Sequence, residues 1–446
     1  MKKTNALAGH FNLKRLFAFT VPTIGTIVLC NTFEMVNGFF ASNILGKEAL
    51  AAINLVGPIL LIYGALGYMI GIGGGALLSV ILGRGEKEKA NSAFTTIFIF
   101  TILFGIILSV VAICTLELIL HALGTSGEVK NYALIYGEIT SIFIAPNVIF
   151  ICLSYLLITA GKPKLNLAIT LISFLSNAIF SYLFTGPFGW GVAGVAFAFG
   201  FSFLIGILLQ ILYFAFNKTS NLKISKPSKD LRIIGKSLSK GIGEYIANIT
   251  ESLICTAYNF QLIHIYQTTD SVAAFGCMNY WLVLFCCILF GFVEGAEPLI
   301  AYNYGANNKT EIRSLFKRTL SVSIIYCVGV SIFMLFFARI FIVSMLGYDV
   351  ELVDKTEPIF KIYFLCFLFL WGPIFGAALF TAFNNGKLAA LISFVRSFVL
   401  ELGLIFLLPA LFGPNSIWFA VTIANLLASI LVVILLLIYR KRYSYI

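Results

Sequence analysis

The sequence predicts an all-α membrane protein in which twelve transmembrane helices form two pseudo-symmetric six-helix lobes around a central cavity. Three observations predict this fold class. The chain is unusually apolar, its basic residues alternate between the two ends of successive apolar runs, and its two halves share a repeat. Each observation limits what the protein can do.

The composition excludes several classes of protein. Hydrophobic residues make up 60% of the 446 residues, charged residues make up 11%, and the mean hydropathy is +0.99. Soluble domains are about 45–50% apolar and about 25% charged. Despite a net charge of +11, we therefore expect neither a soluble enzyme nor a nucleic-acid-binding protein nor a disordered chain. No cleavable signal peptide is expected, because the polar, basic start leads directly into a long apolar run.

The apolar runs set the number of membrane spans. A transmembrane helix needs about 20 mostly apolar residues. Twelve such runs occur, and we number them in chain order. They cover residues 16–41, 50–82, 92–121, 132–159, 165–186, 191–217, 239–264, 272–302, 315–346, 355–384, 387–412 and 415–439.

The basic residues test this count and predict the orientation. Of the 30 lysines and arginines, 24 lie on the side that carries both termini. Only Lys47, Lys130 and Lys355 lie on the other side. Cytoplasmic loops of membrane proteins carry such an excess of Lys and Arg. The sequence therefore predicts a multi-pass protein of the plasma membrane with both termini in the cytoplasm.

An internal repeat divides the chain into halves. A double alanine and two glycines recur 222 residues later, as do several other residues. The pairs include Ala51/Ala273, Ala52/Ala274, Gly73/Gly295 and Gly83/Gly305. Each half then holds six spans, and an even number makes the repeats parallel. We predict a first lobe at 1–216, a basic cytoplasmic linker at 217–240 and a second lobe at 241–446.

The seventh span carries a stripe of polar residues. The spacing of four, three, four and four residues places them on one helical face. They are Glu244, Asn248, Glu251, Cys255 and Asn259. Ionisable groups inside a membrane cost at least about 2.5 kcal/mol and mark functional sites by default. A carboxyl group here can take up a proton or hold Na⁺ together with neighbouring oxygens, so the ion can compete with a cationic substrate.

The first span carries a smaller polar face. Glu34 and Asn37 are three residues apart and share a side of the helix. Asn37 is the repeat equivalent of Asn259. For each of these polar faces the alternative is a hydrogen-bonded contact between helices. In the eleventh span, Arg396 precedes Glu401 by five residues, and we interpret these two as a structural pair that requires a bend in the helix.

The sequence contains no pattern typical of a transition-metal site or a catalytic centre. The nine cysteines lie in apolar runs, and none has metal-ligand spacing with one of the three histidines. We expect no cofactor and no metal except a coupling H⁺ or Na⁺, the latter at Glu251. An ATP-driven cycle is disfavoured because the chain lacks a phosphate-binding Gly-x-x-x-x-Gly-Lys-Ser/Thr loop.

Three longer motifs carry a family resemblance over essentially the whole chain. The eighth span ends in Gly-Phe-Val-Glu-Gly-Ala-Glu-Pro-Leu-Ile-Ala-Tyr-Asn-Tyr-Gly-Ala at 291–306. Residues 46–56 and 69–85 form a matching first-half signature, and 177–196 form a third. Together they resemble the multidrug and toxic compound extrusion (MATE) family, in its MepA-like branch.

The resemblance implies twelve helices in two lobes, alternating access and efflux coupled to H⁺ or Na⁺. It implies substrates that are amphipathic and often cationic. It places Glu251 on the family's cation-binding carboxylate, with Glu34, Asn37 and Asn259 as further coupling candidates. The residues expected at the substrate cavity are Glu244, Asn248, Glu294, Glu297, Tyr302, Asn303 and Ser181.

The chain departs from the family pattern in both halves. The family usually has aspartate where this chain has Asn37, and often where it has Ser181. Glutamines are common in the family where this chain has Glu294 and Glu297. The resemblance therefore implies that acidic charge has moved from the first lobe to the second, with Glu34 or the second lobe alone left to couple transport.

Two other functions are weighed against secondary active export. A flippase for lipid-linked precursors, from the same superfamily, typically has a cationic cavity, whereas only Lys361 and Arg396 are expected deep in this one. An ion channel does not need a two-lobe repeat with a long linker, and a membrane enzyme needs a nucleophile and base that the sequence does not offer. We therefore expect a monomeric transporter that is not an enzyme. Its partners are small amphipathic, cationic molecules and membrane lipids, without nucleic acid.

Overall fold

A computed structural model describes residues 6–122, 127–217, 220–267, 270–347, 349–443 and 445, without the side chains of Glu34, Lys47 and Ala122. Within these residues the regular structure is helical throughout. The first lobe contains seven α-helices and one π-helical segment. They are α1 (Leu13–Phe40), the π segment Ala41–Leu45, α2 (Lys47–Gly83), α3 (Lys87–Ala122), α4 (Gly127–Ile142), α5 (Ile144–Thr159), α6 (Pro163–Thr185) and α7 (Gly191–Phe216).

The second lobe repeats this plan with eight α-helices. They are α8 (Arg232–Tyr266), α9 (Asp270–Gly305), α10 (Lys309–Leu346), α11 (Val350–Phe364), α12 (Phe367–Ala382), α13 (Gly386–Phe394), the π segment Val395–Glu401, α14 (Leu402–Phe412), the 3₁₀ segment Pro414–Phe419 and α15 (Ala420–Tyr443). Helix α8 begins inside the stretch 217–240 assigned to the linker, so the exact lobe boundaries stay a prediction.

The helices confirm the predicted membrane fold. Among the described residues, nine helical stretches are long and apolar enough to cross a membrane. The pairs α4–α5 and α11–α12, bent by 50° and 41°, each qualify as one broken span. Helix α8 is too polar to qualify by composition, but its 35 residues and its place in the repeat make it the seventh of twelve spans.

Both broken spans contain a proline, and serines from neighbouring helices satisfy the carbonyls that these prolines leave free. A proline cannot donate a hydrogen bond to the carbonyl four residues earlier. The carbonyl that Pro146 leaves free, that of Ile142, accepts a hydrogen bond of 3.3 Å from the Ser109 hydroxyl. The carbonyl that Pro373 leaves free, that of Phe369, accepts one from Ser429. Both broken spans therefore keep their backbone satisfied inside the membrane.

The described segment before α1, the end of α15 and the basic connections meet at one end of the bundle, which we call the basic end. The Lys223 amide donates to the Asn91 side chain at 2.9 Å, which attaches the linker to α3. The segment before α1 attaches to α10 of the other lobe through Glu311. This carboxylate accepts from the Phe11 amide and lies 2.8 Å from His10 Nδ1.

The two lobes are closed against each other in the half nearest the basic end. A Cβ atom on Gly83 of α2 would lie 2.0 Å from the carbonyl oxygen of Tyr302, and one on Gly305 of α9 would lie 2.1 Å from that of Val80. Both residue pairs are related by the 222-residue repeat. The helix backbones therefore touch reciprocally, and any side chain there would separate them.

Candidate functional site

A cavity lies mainly within the first lobe, farther from the basic end than the crossing at Gly83 and Gly305. We call it the outer cavity, and its volume is about 100 Å³. Helices α1, α2, α5 and α7 of the first lobe form most of its wall, and Asn248 reaches it from α8. Polar atoms come from Cys30, Asn31, Tyr68 and Asn147, between phenylalanines and leucines. This mixed wall suits a molecule with an apolar body and a few polar groups.

The second lobe contains a charged centre made of Glu251, Arg396, Glu401 and Asn425. Glu251 on α8 is exposed, while Glu401 is 6% exposed. Arg396 lies within electrostatic range of both carboxyl groups. Its Nε donates a hydrogen bond of 2.9 Å to the Asn425 side chain on α15. One cation thus lies close to two acids, one of which is accessible.

A π-helical segment explains how Arg396 and Glu401 come together. The hydrogen bonds of a π-helix join residues five apart, and such segments often occur at functional sites. The segment Val395–Glu401 therefore brings residues five apart onto one face. The sequence analysis expected a bend and a structural pair here. The structure has a wider helical segment instead, in which Arg396 lies within electrostatic range of Glu401 but donates its hydrogen bond to Asn425. Arg396 is also part of the Glu251 centre, which that analysis did not expect.

The first lobe contains a neutral centre where its first helix packs on α6. Asn37 on α1 and Asn177 and Ser181 on α6 are fully buried. Asn177 Nδ2 donates to Asn37 Oδ1 at 3.1 Å. The other amide atom of each asparagine, and the hydroxyl of Ser181, have no partner in the described structure. Buried polar atoms without protein partners are usually satisfied by ordered water.

The two centres lie at the same helix contact of each lobe but at different positions along the repeat, and they differ in charge. At the 222-residue offset Glu251 corresponds to Leu29, whereas Asn37 corresponds to Asn259. Each lies where the first helix of a lobe packs on its fifth span: α1 on α6 in one lobe, and α8 on α13 to α14 in the other. The described part of the first centre holds amides and a hydroxyl, and the second holds two carboxyl groups and a guanidinium. The side chain of Glu34 lies outside the described residues, so its expected contribution to the first centre stays a prediction.

The remaining residues of the α8 stripe lie at different depths. Asn248 lines the outer cavity. Glu244 is 9% exposed and lines a second cavity of about 20 Å³, the inner cavity, together with Glu294 and Arg396. Asn259 is half-buried, and its amide lies 3.9 Å from the sulfur of Cys255. The stripe thus connects the outer cavity with the closed half of the interface.

The residues predicted on the eighth span lie in α9. Glu294 and Glu297 are 9% and 4% exposed. Tyr302 contributes its carbonyl to the lobe crossing. Asn303 donates to the Leu299 carbonyl of its own helix at 2.9 Å, as a structural amide does. Neither Tyr302 nor Asn303 is among the residues that line the cavities described here.

Sequence reasoning missed Tyr155, which joins the two lobes. This residue lies on α5 of the first lobe, and its hydroxyl donates to Glu294 of the second lobe at 2.6 Å. It also lines a side cavity of about 20 Å³ with Cys30, Tyr68 and Asn166. A tyrosine within an apolar span gives no periodic signal that distinguishes it from core aromatics.

A comparison with known families identifies the chain. The family model described as MatE matches residues 22–183 and 245–407, once in each lobe. The chain belongs to the MatE family. The resemblance stated from the sequence is confirmed, and the protein is a transporter rather than an enzyme, because the MatE family consists of transporters.

Curated relatives of this MatE chain include two staphylococcal proteins. The multidrug export protein MepA of Staphylococcus aureus (strain MRSA252) is 24% identical over 434 residues, which cover 96% of this chain and 94% of MepA. MepA of Staphylococcus saprophyticus (strain ATCC 15305) is 22% identical over 433 residues, with the same coverage of both chains.

Solved structures share the MatE fold over the full length. A crystal structure of MATE in complex with MaL6 superposes with a TM-score of 0.91 at 17% identity, covering 100% of this chain and 99% of that one. The outward-facing conformation of a multidrug resistance MATE family transporter superposes with a TM-score of 0.90 at 17% identity, covering 100% of this chain and 98% of that one. At this identity the likeness establishes the fold, which is the predicted twelve-helix, two-lobe arrangement.

Proposed function

We propose that this chain is a secondary active exporter that moves small amphipathic, mainly cationic organic compounds out of the cell against the inward flow of H⁺ or Na⁺. Three kinds of support converge. The chain belongs to the MatE family, its curated relatives are named multidrug export proteins, and the outer cavity has aromatic and polar walls while Glu244 and Glu294 line the inner cavity. We place the protein in the plasma membrane as a monomer, with the basic end in the cytoplasm.

The observation that carries the proposal is the setting of Glu251. Glu251 is an exposed residue of α8, and Arg396 and Glu401 both lie within electrostatic range of its carboxyl group. A cation that binds Glu251 competes with Arg396 for the same negative charge. When Glu251 takes up H⁺ or Na⁺, Arg396 therefore loses its attraction to Glu251 and interacts with Glu401 and Asn425 alone. This rearrangement inside one lobe changes how that lobe packs.

The acidic surroundings determine the class of substrate. Of the described residues at the two cavities, Glu244, Glu294 and the nearby Glu251 are acidic, and Arg396 is basic. Opposite charge attracts a cationic ligand, and tyrosine and phenylalanine faces bind organic cations through cation–π contacts. A polyanionic lipid precursor would meet repulsion instead, so this geometry disfavours a flippase.

Transport in proteoliposomes tests the proposal. Vesicles containing the full chain are loaded with ethidium, a flat aromatic cation, and pH and Na⁺ gradients are applied separately. Efflux should depend on one of the two gradients. Glu251→Gln should reduce ion-driven efflux at least about tenfold. Glu117→Gln on the exposed face of α3 makes the same chemical change and should transport normally.

Two results would contradict this assignment. If Glu251→Gln keeps ion-driven efflux at the wild-type rate, Glu251 does not couple transport. If neither gradient drives efflux of the cation, the chain is not an antiporter of this substrate class. For the first lobe, Glu34→Gln is expected to shift the pH dependence of efflux. An unchanged profile would leave coupling to the second lobe alone.

A further inference from the structure

Three glutamates lie in the closed half of the lobe interface, apart from the Glu251 centre. Glu244 belongs to α8, and Glu294 and Glu297 are one turn apart on α9. All three are more than nine-tenths buried, and Glu294 and Glu297 each lie within electrostatic range of Glu244. In the described structure the Glu297 side chain has neither a hydrogen bond nor an ion pair. We call these three residues the interface carboxyl cluster.

No described basic group neutralises this cluster. Lys240 lies one turn before Glu244, but its ammonium group is buried without a hydrogen-bond partner, and no salt bridge of the described residues includes a cluster glutamate. Arg396 lines the inner cavity beside Glu244 and Glu294 but donates to Asn425. Buried, adjacent carboxylates without a paired cation carry a large desolvation and repulsion cost. The closed interface therefore favours their protonated form.

The other titratable groups that face the cluster come from both lobes. Tyr155 on α5, Tyr68 on α2 and Cys30 on α1 approach from the first lobe, and Cys287 on α9 from the second. Lys236 and Arg84 lie beyond Lys240, towards the basic end. None of the tyrosines and cysteines carries charge near neutral pH in its usual state. Proton exchange at the cluster is therefore left to the glutamates.

The cluster spans the surface along which the lobes separate. The Tyr155 hydroxyl of the first lobe donates to Glu294 Oε2 of the second at 2.6 Å. Glu244 lies seven residues from Glu251 on α8, about 10 Å closer to the basic end. The cluster thus lies between the outer cavity and the basic end of the bundle. Parting of the lobes there breaks the Tyr155 bond and exposes all three carboxyl groups to water.

We propose that the interface carboxyl cluster is a proton-release site, which holds protons while the basic end is closed and loses them to the solution at that end when the lobes separate. Each released proton leaves a hydrated carboxylate and forms hydronium. Closure requires the protons to return, and the side cavity offers a route from the outer cavity, since it shares Cys30 and Tyr68 with it. The inference rests on the proposed function only in assuming that the lobes alternate.

A distance measurement on the full chain in lipid nanodiscs tests this proposal without substrate or gradient. Nitroxides are attached at Lys87→Cys and Lys309→Cys, two exposed repeat-equivalent positions at the basic end. The exposed Cys114 and the half-buried Cys30, Cys255 and Cys286 are replaced by serine, so that only the two new thiols are labelled. Pulsed electron resonance then gives the ratio of closed to open basic ends between pH 5 and 9. Because the closed state binds more protons, this ratio should fall as pH rises, by up to about tenfold per pH unit for each proton released.

Variants separate the cluster from the rest of the molecule. The triple variant with glutamine at Glu244, Glu294 and Glu297 should stay closed and change less than about twofold over this range. Glu297→Gln alone should reduce the change of the closed-to-open ratio with pH in part. This single variant keeps the test valid if the triple variant does not fold. Tyr155→Phe should lower the closed-to-open ratio about three- to tenfold at low pH, because one interlobe hydrogen bond is lost. Glu117→Gln should follow the wild type.

Two outcomes would overturn the proposal: a wild-type ratio that does not vary with pH, or glutamine variants that titrate like the wild type. Either can occur while Glu251-dependent efflux persists, in which case the proposed function stands and this inference fails. Conversely, if the wild-type ratio varies with pH and the glutamine variants remove this variation, the inference stands even if vesicles show no ion-driven efflux. The two proposals therefore fail independently.

Discussion

The reciprocal crossing at Gly83 and Gly305 makes a quantitative prediction about how the lobes close. In Gly83→Ala the new Cβ would lie 2.0 Å from the Tyr302 carbonyl oxygen, whereas ordinary contact begins at about 3.4 Å. The two helices must therefore move apart by about 1.4 Å in the closed state. Backbone atoms on both sides leave no flexible side chain to absorb this displacement.

The energetic consequence follows from the cost of overpacking. Inserting a methyl group into a well-packed contact typically costs about 1–3 kcal/mol. Because the clash destabilises only the closed state, the ratio of closed to open molecules should fall by about 5- to 150-fold. Gly305→Ala should act equally, since its Cβ would lie 2.1 Å from the Val80 carbonyl. The double variant should destabilise the closed state by less than the sum of the two single variants, because one separation of the helices relieves both clashes.

The nitroxide pair at Lys87→Cys and Lys309→Cys provides the assay, and Gly235→Ala provides the control. Gly235 lies near the start of α8 and has open space where a Cβ would stand. We expect Gly83→Ala to lengthen the distance between the labels and the control to leave it unchanged. If Gly83→Ala and Gly235→Ala gave the same distance distribution and the same efflux rate, close backbone contact would not be what holds the basic end shut.

Three further predictions concern stability and the charged centre. Ser109→Ala or Ser429→Ala should each lower the free energy of unfolding in detergent by about 1–3 kcal/mol, because each leaves a proline-freed carbonyl unsatisfied; equal denaturation midpoints would contradict this. Glu311→Ala should release the segment before α1 and speed tryptic cleavage there, and an unchanged cleavage rate would show that its two hydrogen bonds do not hold the segment. Arg396→Met should leave Glu251 without its competing cation, so we expect tighter ion binding and slower ion-driven efflux, while a wild-type rate would remove Arg396 from the coupling centre.

Most of the fold could be predicted from the sequence because its signals are long and additive. Runs of about 20 apolar residues, the asymmetric basic residues and the 222-residue offset each extend over many positions. The break at Phe143 was not predictable in detail, since Pro146 indicates a bend but not which neighbour satisfies the freed carbonyl. That neighbour, Ser109, lies on a different span.

The candidate site was predictable where its residues follow one helix and not where they join several. The spacing of Glu244, Asn248 and Glu251 along α8 indicates a single face, and the structure places two of them on cavities. The link between Tyr155 and Glu294 depends on how two lobes pack, which no local pattern encodes. Arg396 joined the Glu251 centre because of a π-helical segment, and periodicity at 3.6 residues per turn cannot reveal one.

The crossing of α2 with α9 also constrains how the two halves can diverge after duplication. Each half gives one glycine and one carbonyl to the same contact, so a change in either copy alters the fit of both. The polar centres lie within single lobes and carry no such mutual constraint. The polar chemistry of the two lobes can therefore differ, with amides and a hydroxyl in one lobe and charged groups in the other. The two halves of such a duplicated transporter can thus diverge in the chemistry of their polar centres while the glycine crossing between them stays symmetric.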